Sequence, residues 1–345
     1  MRTKVTIYEI AKSAGVGIGT VSRVINNHPN VTPETRERVK EVMKRMHYQP
    51  HTYAQRLARK QSETISVIIP FFTNYFSVEI LRGVQDGISR LGYDLTLFGV
   101  NDIDQVEAKI SRALHRGRVD GILFFSMRLP DKIVPRLRET GIPIVLVDSF
   151  YPKFDSISVA NADGAYDATT HLISLGHRRI GMVNALERSV PAMERLQGYR
   201  RALESHGIPY SPDLVKAGAN TKEDGFNREA GYEAMMDFVR MGDDMPRAFF
   251  ISSDIQSMGA ISALTEHGCS VPEDVSVVGF DDIELAGHLR LTTMRQPMYQ
   301  MGLMAVERLT ARMSNPDMKI EHTTFLPELI IRETTAPPVQ VARRA

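Results

Sequence analysis

The chain lacks the features of a disulfide-stabilised or membrane-embedded protein. Its 345 residues include a single cysteine, Cys269, which excludes an intrachain disulfide. No apolar run reaches the length of about 18 residues that a membrane-spanning helix needs, and the N-terminus has no charged-then-apolar leader. We therefore expect a cytoplasmic protein that has no membrane partner.

The motifs of common catalytic and metal sites are also missing. The sequence contains no HExxH helix, no GxxxxGKS/T phosphate loop and no GxSxG nucleophile turn. Its ten histidines are scattered without metal-ligand spacing. We expect a protein that is not an enzyme and that needs neither a metal nor a cofactor.

Charge is present but unevenly distributed along the chain. The net charge is only +1, yet residues 1–62 hold twelve Lys/Arg against four Asp/Glu, and residues 63–345 hold thirty against thirty-seven. Such asymmetry is typical of a basic nucleic-acid-binding module joined to a body that does not bind nucleic acid.

The basic segment begins with a helix-turn-helix pattern. Thr6 and Glu9 have the spacing of a capping box at the start of a first helix. Gly15 supplies the positive φ that a tight inter-helix turn requires. A dinucleotide-binding loop at residues 15–19 is excluded because such a loop follows a strand, whereas the residues before Gly15 have helical periodicity. A third helix is predicted to begin at Thr32-Pro33.

The second helix of this pattern has the chemistry of a recognition helix. Val21, Val24 and Ile25 recur on the side that faces the other helices. Hydroxyl and amide groups on the other side can contact phosphates, and one arginine can bridge the two acceptors of a guanine. These polar residues are Thr20, Ser22, Arg23 and Asn26. A surface pair of helices without a DNA function is the alternative.

From residue 64 the chain alternates between strand and helix patterns. Several helices are predicted to end at a glycine, as in Gly92, Gly176 and Gly268. Alternation of this kind predicts parallel sheets covered by helices on both faces, and the length suits two such units. The predicted strands are Ile65–Pro70, Asp94–Phe98, Gly121–Phe125, Ile144–Asp148, Ile180–Asn184, Ala248–Ser252 and Val275–Phe280.

Taken together, these patterns resemble the lac repressor/galactose repressor family of bacterial transcription regulators. The resemblance covers nearly the whole chain, and its most specific phrase ends at Asp281-Asp282. Its main phrases are Ile10-Ala11, Ala14-Gly15-Val16, Thr20-Val21-Ser22-Arg23-Val24, Tyr48-Gln49-Pro50, Leu175-Gly176-His177-Arg178-Arg179-Ile180, and Val277-Val278-Gly279-Phe280-Asp281-Asp282.

The resemblance implies the fold and its division into domains. Residues 1–49 are expected to form an all-α helix-turn-helix headpiece and residues 50–62 a hinge helix. Residues 63–335 are expected to form a two-lobed α/β core of two doubly wound parallel sheets, similar to periplasmic sugar-binding proteins. Residues 336–345 are expected to be a tail.

The lobes of this core are expected to be discontinuous in sequence. The first lobe takes residues 63–160 and 292–320, and the second takes residues 161–291 and 321–335. The chain is thus expected to cross between lobes near Ala160, Leu291 and Ile320.

The resemblance also implies where DNA is contacted. Ile18 and Gly19 have no side-chain hydrogen-bonding group, so they are expected to read thymine methyls and shape, which leaves Arg23 as the polar reader. Gly17 stands where the family usually has serine. Leu57 matches the hinge residue that the family inserts between base steps, although an ordinary core leucine in a linker is the alternative. The expected DNA-binding residues are Thr6, Ile18, Gly19, Thr20, Ser22, Arg23, Asn26, His51, Tyr53, Ala54 and Leu57.

An effector site is expected in the cleft at the carboxyl ends of the strands. Asp148 and Asp281 each end a buried strand, where a carboxylate is costly unless it accepts hydrogen bonds, and sugar hydroxyls supply them. Ser253 stands where the family often has asparagine, and Asp254 is expected to cap the next helix. Aromatic residues are expected to stack on the ligand, although each is as readily part of the core. The expected effector-binding residues are Phe72, Phe76, Asp148, Arg195, Phe226, Ser253 and Asp281.

The function implied is an allosteric, ligand-responsive repressor. A homodimer would bind a palindromic double-stranded DNA operator, with helices at Ser77–Leu91 and Pro297–Arg312 in its interface. The expected effector is a sugar or sugar derivative, and a purine or nucleoside is the alternative. A sugar receptor without DNA function would share the body but would not need residues 1–62.

Overall fold

The structure, a computed structural model, describes residues 5–48, 62–100, 105–115 and 119–338. The chain divides into two compact units, a headpiece unit (Met1–Thr64 with Arg118–Asp120) and a core (Ile65–Gly117 with Gly121–Ala345). The predicted hinge contacts His51, Tyr53, Ala54 and Leu57 lie outside the described residues.

The headpiece consists of the three short helices that the sequence predicts, α1 (Ile7–Ala14), α2 (Ile18–Ile25) and α3 (Pro33–Arg45). The backbone amide of Thr6 donates to Glu9 Oε2 at 2.7 Å, which satisfies one of the free amides at the start of α1. Gly15 ends α1 with a φ of +64°. Seven buried apolar side chains hold the three helices together: Ile10, Ala11, Ala14, Val21, Val24, Val39 and Val42.

The core contains two six-stranded sheets, one in each lobe. Sheet one has the order β11-β5-β4-β3-β1-β2. Its strands are β1 (Thr64–Pro70), β2 (Asp94–Val100), β3 (Gly121–Phe125), β4 (Ile144–Val147), β5 (Asp155–Val159) and β11 (His322–Phe325). Sheet two has the order β12-β10-β9-β8-β6-β7. Its strands are β6 (Gly181–Asn184), β7 (Val215–Ala217), β8 (Ala248–Ile251), β9 (Ser276–Asp281), β10 (Thr292–Arg295) and β12 (Glu328–Ile330).

Helices cover both sheets, as the doubly wound prediction requires. The first lobe carries α4 (Tyr75–Ser89), α5 (Val106–His115), α6 (Val134–Glu139) and α12 (Met298–Ser314). The second lobe carries α7 (Asn161–Ser174), α8 (Val190–Ser205), α9 (Arg228–Val239), α10 (Asp254–Glu266) and α11 (Glu284–His288). The antiparallel pairing of β12 with β10 is a local departure from the parallel pattern.

Two of the three lobe crossings come later in the chain than predicted. The first lies at Ala160, between β5 and α7, as expected. The second follows Arg295, because β10 pairs with β9 in sheet two and only then leads into α12. The third follows Phe325, because β11 pairs with β5 in sheet one. The predicted crossings at Leu291 and Ile320 were wrong because each missed a short strand that still belongs to the earlier lobe.

The start of the predicted tail is held by the core. The backbone amide of Ala336 donates to Ser276 Oγ at 3.0 Å, and the Ala336 carbonyl accepts from His177 Nε2 at 2.9 Å. Residues 336–338 are therefore described with the second lobe, which corrects the predicted boundary, and residues 339–345 lie outside the described part.

Glycines allow the helix pairs of the lobes to pack closely. At the α9–α10 crossing, a Cβ built on Gly259 would lie 1.9 Å from the Arg228 carbonyl oxygen. At the α4–α12 crossing, a Cβ on Gly83 would lie 2.1 Å from the Tyr299 carbonyl oxygen. The backbones approach too closely at both crossings for any larger residue. Within the described ranges, no helix has the length and apolar character needed to cross a membrane.

Candidate DNA-binding surface and ligand cavity

The headpiece presents the predicted base-reading residues on one face of α2. Val21 and Val24 are buried, which turns the opposite face outward. Ile18 is 41% exposed although it is apolar, and Arg23 is exposed without a resolved intramolecular partner among the described residues. A Cβ added to Gly19 would meet no atom within 4 Å, so the surface there is open. This face can enter a groove without rearrangement of the core behind it.

Polar contacts fix the ends of this face. Asn26 Nδ2 donates to Ser22 Oγ at 3.5 Å, in a part-buried position on α2. Arg36 of α3 donates to the carbonyl oxygen of His28 at 2.7 Å and to Asn27 Oδ1 at 3.3 Å, which anchors the loop after α2. Thr6, the N-cap of α1, is exposed, and Thr20, in the first turn of α2, is half-buried.

The core contains a cavity of about 350 Å³ that residues of both lobes line. This volume lies within the usual range for small-molecule sites. From the first lobe, the lining includes Pro70, which ends β1, and Ser126, which follows β3. From the second lobe it includes Arg195, Ser253 and Asp281. The cavity therefore lies where the carboxyl ends of the two sheets meet, as expected for doubly wound folds.

The backbone is left-handed at several strand ends that line this cavity. Phe71 follows β1 with a φ of +45°, Ser126 follows β3 with +48°, and Asp148 follows β4 with +51°. Asp281, at the end of β9, has a φ of +122°. Non-glycine residues in these conformations cost of order 1–3 kcal/mol each and are typically found at functional sites.

Arg195 of α8 is the central cation of the cavity. It is only 4% exposed, and its Nη1 lies 3.6 Å from Asp281 Oδ1. Its Nε donates to Asn161 Oδ1 at 3.0 Å, and its Nη1 donates to the carbonyl oxygen of Ser252. The guanidinium carbon lies 3.8 Å from the centre of the Phe280 ring. These contacts on all sides fix the orientation of the guanidinium.

The two predicted carboxylates, Asp148 and Asp281, both line the cavity, in an environment that favours their protonated forms. Burial raises the pKa of Asp148 to about 7, although a hydrogen bond from Ser126 and the charge of Arg195 oppose the increase. Burial likewise raises the pKa of Asp281 to about 6, opposed by Arg195 and by a hydrogen bond from Gln296 at 2.6 Å. Hydroxyl donors from a ligand would compensate both groups.

Ser253, and not Asp254 as predicted, caps the helix that follows β8. Ser253 caps α10, because its Oγ accepts from the Gln256 amide at 3.3 Å. Asp254 does not cap the helix: its Oδ1 accepts from Thr293 Oγ1 at 2.5 Å and its Oδ2 from the Ile283 amide at 3.0 Å. Burial raises the pKa of Asp254 well above its ordinary value. Ser253 also lines the cavity, whereas Asp254 connects α10 to β10 and to the segment after β9.

Two of the three predicted aromatic residues line the cavity. Phe76 and Phe226 do so, and Phe226 lies 5.6 Å from the Arg195 guanidinium. Phe72 does not line it: it is 42% exposed, and its ring packs against Gly99 of β2. The neighbouring Phe71, and not Phe72, faces the cavity at this turn.

Residues that no motif singled out complete the cavity. Asn161 binds Arg195, Ser126 binds Asp148, and Gln296 binds Asp281. Each is an isolated polar residue that belongs to no local motif, so the sequence alone does not mark it as a cavity residue. Over the described ranges, no group of three or more His, Cys, Asp or Glu residues is arranged to hold a metal ion.

Comparison with known proteins matches both units. Residues 6–51 match the family "Bacterial regulatory proteins, lacI family", and residues 169–335 match the "Periplasmic binding protein-like domain". Catabolite control protein A of Priestia megaterium is 33% identical over 315 residues, which cover 90% of this chain and 93% of that protein. The HTH-type transcriptional repressor PurR of Haemophilus influenzae is 34% identical over 337 residues, 95% of this chain and 98% of that protein.

Solved structures give the same result at full length. The lac repressor dimer bound to operator and the anti-inducer ONPF has a TM-score of 0.82 and 28% identity, covering 97% of this chain and 100% of that one. The complex of the transcriptional regulator CelR with cellobiose has a TM-score of 0.71 and 31% identity, covering 96% and 99%. The similarity thus includes the helix-turn-helix and the two-lobed core together.

Proposed function

This chain belongs to the lacI family of bacterial regulatory proteins, which are DNA-binding transcription regulators, and on this premise we propose how it works. It represses transcription by binding a palindromic operator as a homodimer, and a sugar or sugar derivative in the core cavity controls that binding. The observation that carries the proposal is the cavity itself, where Asp148, Arg195 and Asp281 surround space for a hydroxyl-rich ligand.

On the DNA side, the exposed face of α2 reads the operator in the major groove. Arg23 makes the base-specific hydrogen bonds, and Ile18 and Gly19 contribute shape and methyl contacts. Thr6, Thr20, Ser22 and Asn26 contact the phosphate backbone, and Leu57 of the hinge, residues 50–62, enters the minor groove.

Dimerisation involves the first lobe. Large apolar side chains are exposed on α4 and on the edge strand β2, namely Tyr75, Val78 and Leu97, each at least 42% exposed. A partner copy would cover this surface, and the operator complex of the lac repressor dimer supports the same stoichiometry.

In the core, the effector binds between the lobes. Asp148 and Asp281 accept hydrogen bonds from its hydroxyls, Arg195 orients Asp281, and Phe76 and Phe226 pack on its apolar faces. Preferential binding to one lobe arrangement shifts the balance between DNA-binding states. The relatives are transcriptional regulators, which supports a cytoplasmic protein without catalytic activity.

The DNA side is tested with an operator selected from random double-stranded DNA by the purified full-length protein. Arg23→Ala should remove the preference for that operator over scrambled DNA while leaving weak, salt-sensitive binding. The matched control is Arg38→Ala, which removes the same charge from the exposed side of α3. It should weaken binding to both DNAs without changing their ratio. An unchanged preference in the Arg23 variant would exclude it as the reader.

The effector side is tested by thermal-shift screening of sugars, sugar phosphates, nucleosides and purines, followed by operator titrations with each compound that binds. Arg195→Ala should abolish the response to the effector but retain operator binding. Arg201→Ala, on the exposed side of the same helix, is the control. A normal response in the Arg195 variant would refute its role, and a response only to purines or nucleosides would refute the sugar class.

A further inference from the structure

The acidic and basic side chains around the cavity favour uncharged ligands over negatively charged ones. We propose that the cavity accepts uncharged, hydroxyl-rich ligands and rejects those with a phosphate or carboxylate group, and that Asp148 sets this preference. The inference rests on the proposed sugar effector and narrows it.

Arg195, the cation at the centre of the cavity, is engaged through its Nε and Nη1 atoms. Arg195 donates to Asn161 and to the carbonyl oxygen of Ser252, and it pairs with Asp281 at 3.6 Å. Its guanidinium carbon lies 3.8 Å from the centre of the Phe280 ring. An arginine in this position balances the charge of one buried carboxylate but leaves no surplus positive charge for a ligand anion.

Helix N-termini, which commonly bind anions, also meet this cavity, but side-chain caps occupy part of their free amides. Of the four long helices that begin there, three are capped by a side chain: Asn74 accepts from the Ser77 amide at 2.8 Å, Asn227 from the Ala230 amide at 2.9 Å, and Ser253 from the Gln256 amide at 3.3 Å. The fourth, α8, has Pro191 in its first turn, which has no amide hydrogen to donate.

The rim of the cavity adds no net positive charge. Lys222 and Arg228 line it beside Glu223, Asp224 and Glu229. Across the whole lining, five acidic side chains face three basic ones, and one of the acidic ones, Asp224, is also paired with Arg188 at 2.7 Å. A ligand that carries negative charge would enter a region whose formal charge is already negative.

Asp148 is the carboxylate that a ligand would meet without compensation. Within the described residues it has a hydrogen bond from Ser126 and no cation within ion-pair distance. By contrast, Asp281 has both Arg195 and Gln296. Above its pKa of about 7, Asp148 is ionised; hydroxyl groups can then donate to it, whereas a phosphate or carboxylate at the same distance would repel it with little solvent between them.

The test is calorimetric titration of the full-length protein, at a pH above the Asp148 pKa of about 7, with matched pairs of ligands. The pairs are glucose with glucose 6-phosphate, ribose with ribose 5-phosphate, and cellobiose with cellobionate. We expect at least one uncharged sugar to bind, and its charged counterpart to bind at least about a hundredfold more weakly. In Asp148→Asn this ratio should fall at least about tenfold. Asp213→Asn, which removes an exposed carboxylate outside the cavity, should leave the ratio unchanged.

Each other result contradicts a specific part of the reasoning. Equal or tighter binding of a charged counterpart would overturn the charge preference but leave a sugar-controlled regulator. An unchanged ratio in Asp148→Asn would overturn the assignment to Asp148. If none of these compounds binds but a nucleoside does, the ligand class is wrong while ligand control stands. If no compound of any class binds or alters operator affinity, both the inference and the proposed effector site are wrong.

Discussion

Because Asp148 is buried, we predict that replacing it with asparagine stabilises the ligand-free protein. The gain should be absent near pH 4 and should grow as the pH rises toward neutral. The pKa of Asp148 is raised to about 7 because burial disfavours the charged form more than Ser126 and Arg195 favour it, while Glu194 and Asp281 raise it further. In the unfolded chain an aspartate titrates near pH 4. Between these values the folded protein keeps a proton that the unfolded chain releases, so the free energy of unfolding falls as pH rises from about 4 to about 7.

The size of the effect follows from the two pKa values. One pKa unit corresponds to about 1.4 kcal/mol, so a pKa of about 7 against about 4 corresponds to about 4 kcal/mol above pH 7. Because the cavity admits water, screening reduces this, and we expect about 2 kcal/mol in practice. Asparagine has similar shape but does not titrate, so Asp148→Asn should match the wild type near pH 4 and exceed it by about 2 kcal/mol at pH 8.

Urea unfolding of the full-length protein at half-unit steps from pH 4.5 to 8.5 measures this difference. Asp254 and Asp281 titrate in both proteins, so subtracting the two curves isolates Asp148 to first order. Asp213→Asn, at an exposed site, should follow the wild type at every pH. A stability difference between Asp148→Asn and wild type that does not change with pH would refute the electrostatic reasoning.

Two further predictions concern glycines in helices. Gly259→Ala should lower the free energy of unfolding by about 1–3 kcal/mol, because its Cβ would lie 1.9 Å from the Arg228 carbonyl oxygen. Urea unfolding measures this loss. The control is Gly287→Ala, which should show no such loss because its Cβ would meet no atom within 4 Å. Gly19→Ala should stabilise α2 by up to about 1 kcal/mol, because alanine favours helix and the site is open. Slower hydrogen exchange of the α2 amides would support this, and unchanged or faster exchange would contradict it.

The headpiece was predictable because its signals are local. The Thr6–Glu9 capping box, Gly15 and the Thr32-Pro33 start each act within a few residues of the element they define, and the three helices lie where the sequence places them. The family resemblance, which depends on these same residues and on the phrases of the core, is confirmed by the matching relatives.

Strands were predictable only where burial makes them continuously apolar. The seven predicted strands are all present. Six of them are buried on both faces, as parallel strands covered by helices are, whereas β2 lies at a sheet edge and is only partly buried. β5, β7, β10, β11 and β12 were missed, since DSISV, VKA, TTMR, HTTF and ELI are short and partly polar. Their strand character comes from pairing with segments far away in sequence, such as β11 with β5. The two misplaced lobe crossings have the same origin, because the sheet that a short strand joins decides where the chain crosses.

An aspartate at the end of a buried strand can be recognised in the sequence as a candidate ligand-binding residue. Its type and position do not show whether it binds a ligand or only stabilises the fold. Asp254 and Asp281 are both buried carboxylates next to strand ends. Because burial removes water, each of them needs hydrogen-bond donors or a cation from the protein. Asp254 obtains it from Thr293 and from the Ile283 amide, both inside the second lobe, and does not line the cavity. Asp281 obtains it from Arg195 and Gln296 and does line the cavity. The difference arises from which partners the fold brings within hydrogen-bond distance, and those partners lie between 15 and 86 residues away in the chain for Asp281. A buried acid can therefore be predicted from its own segment, whereas its function depends on contacts that only the assembled lobes provide.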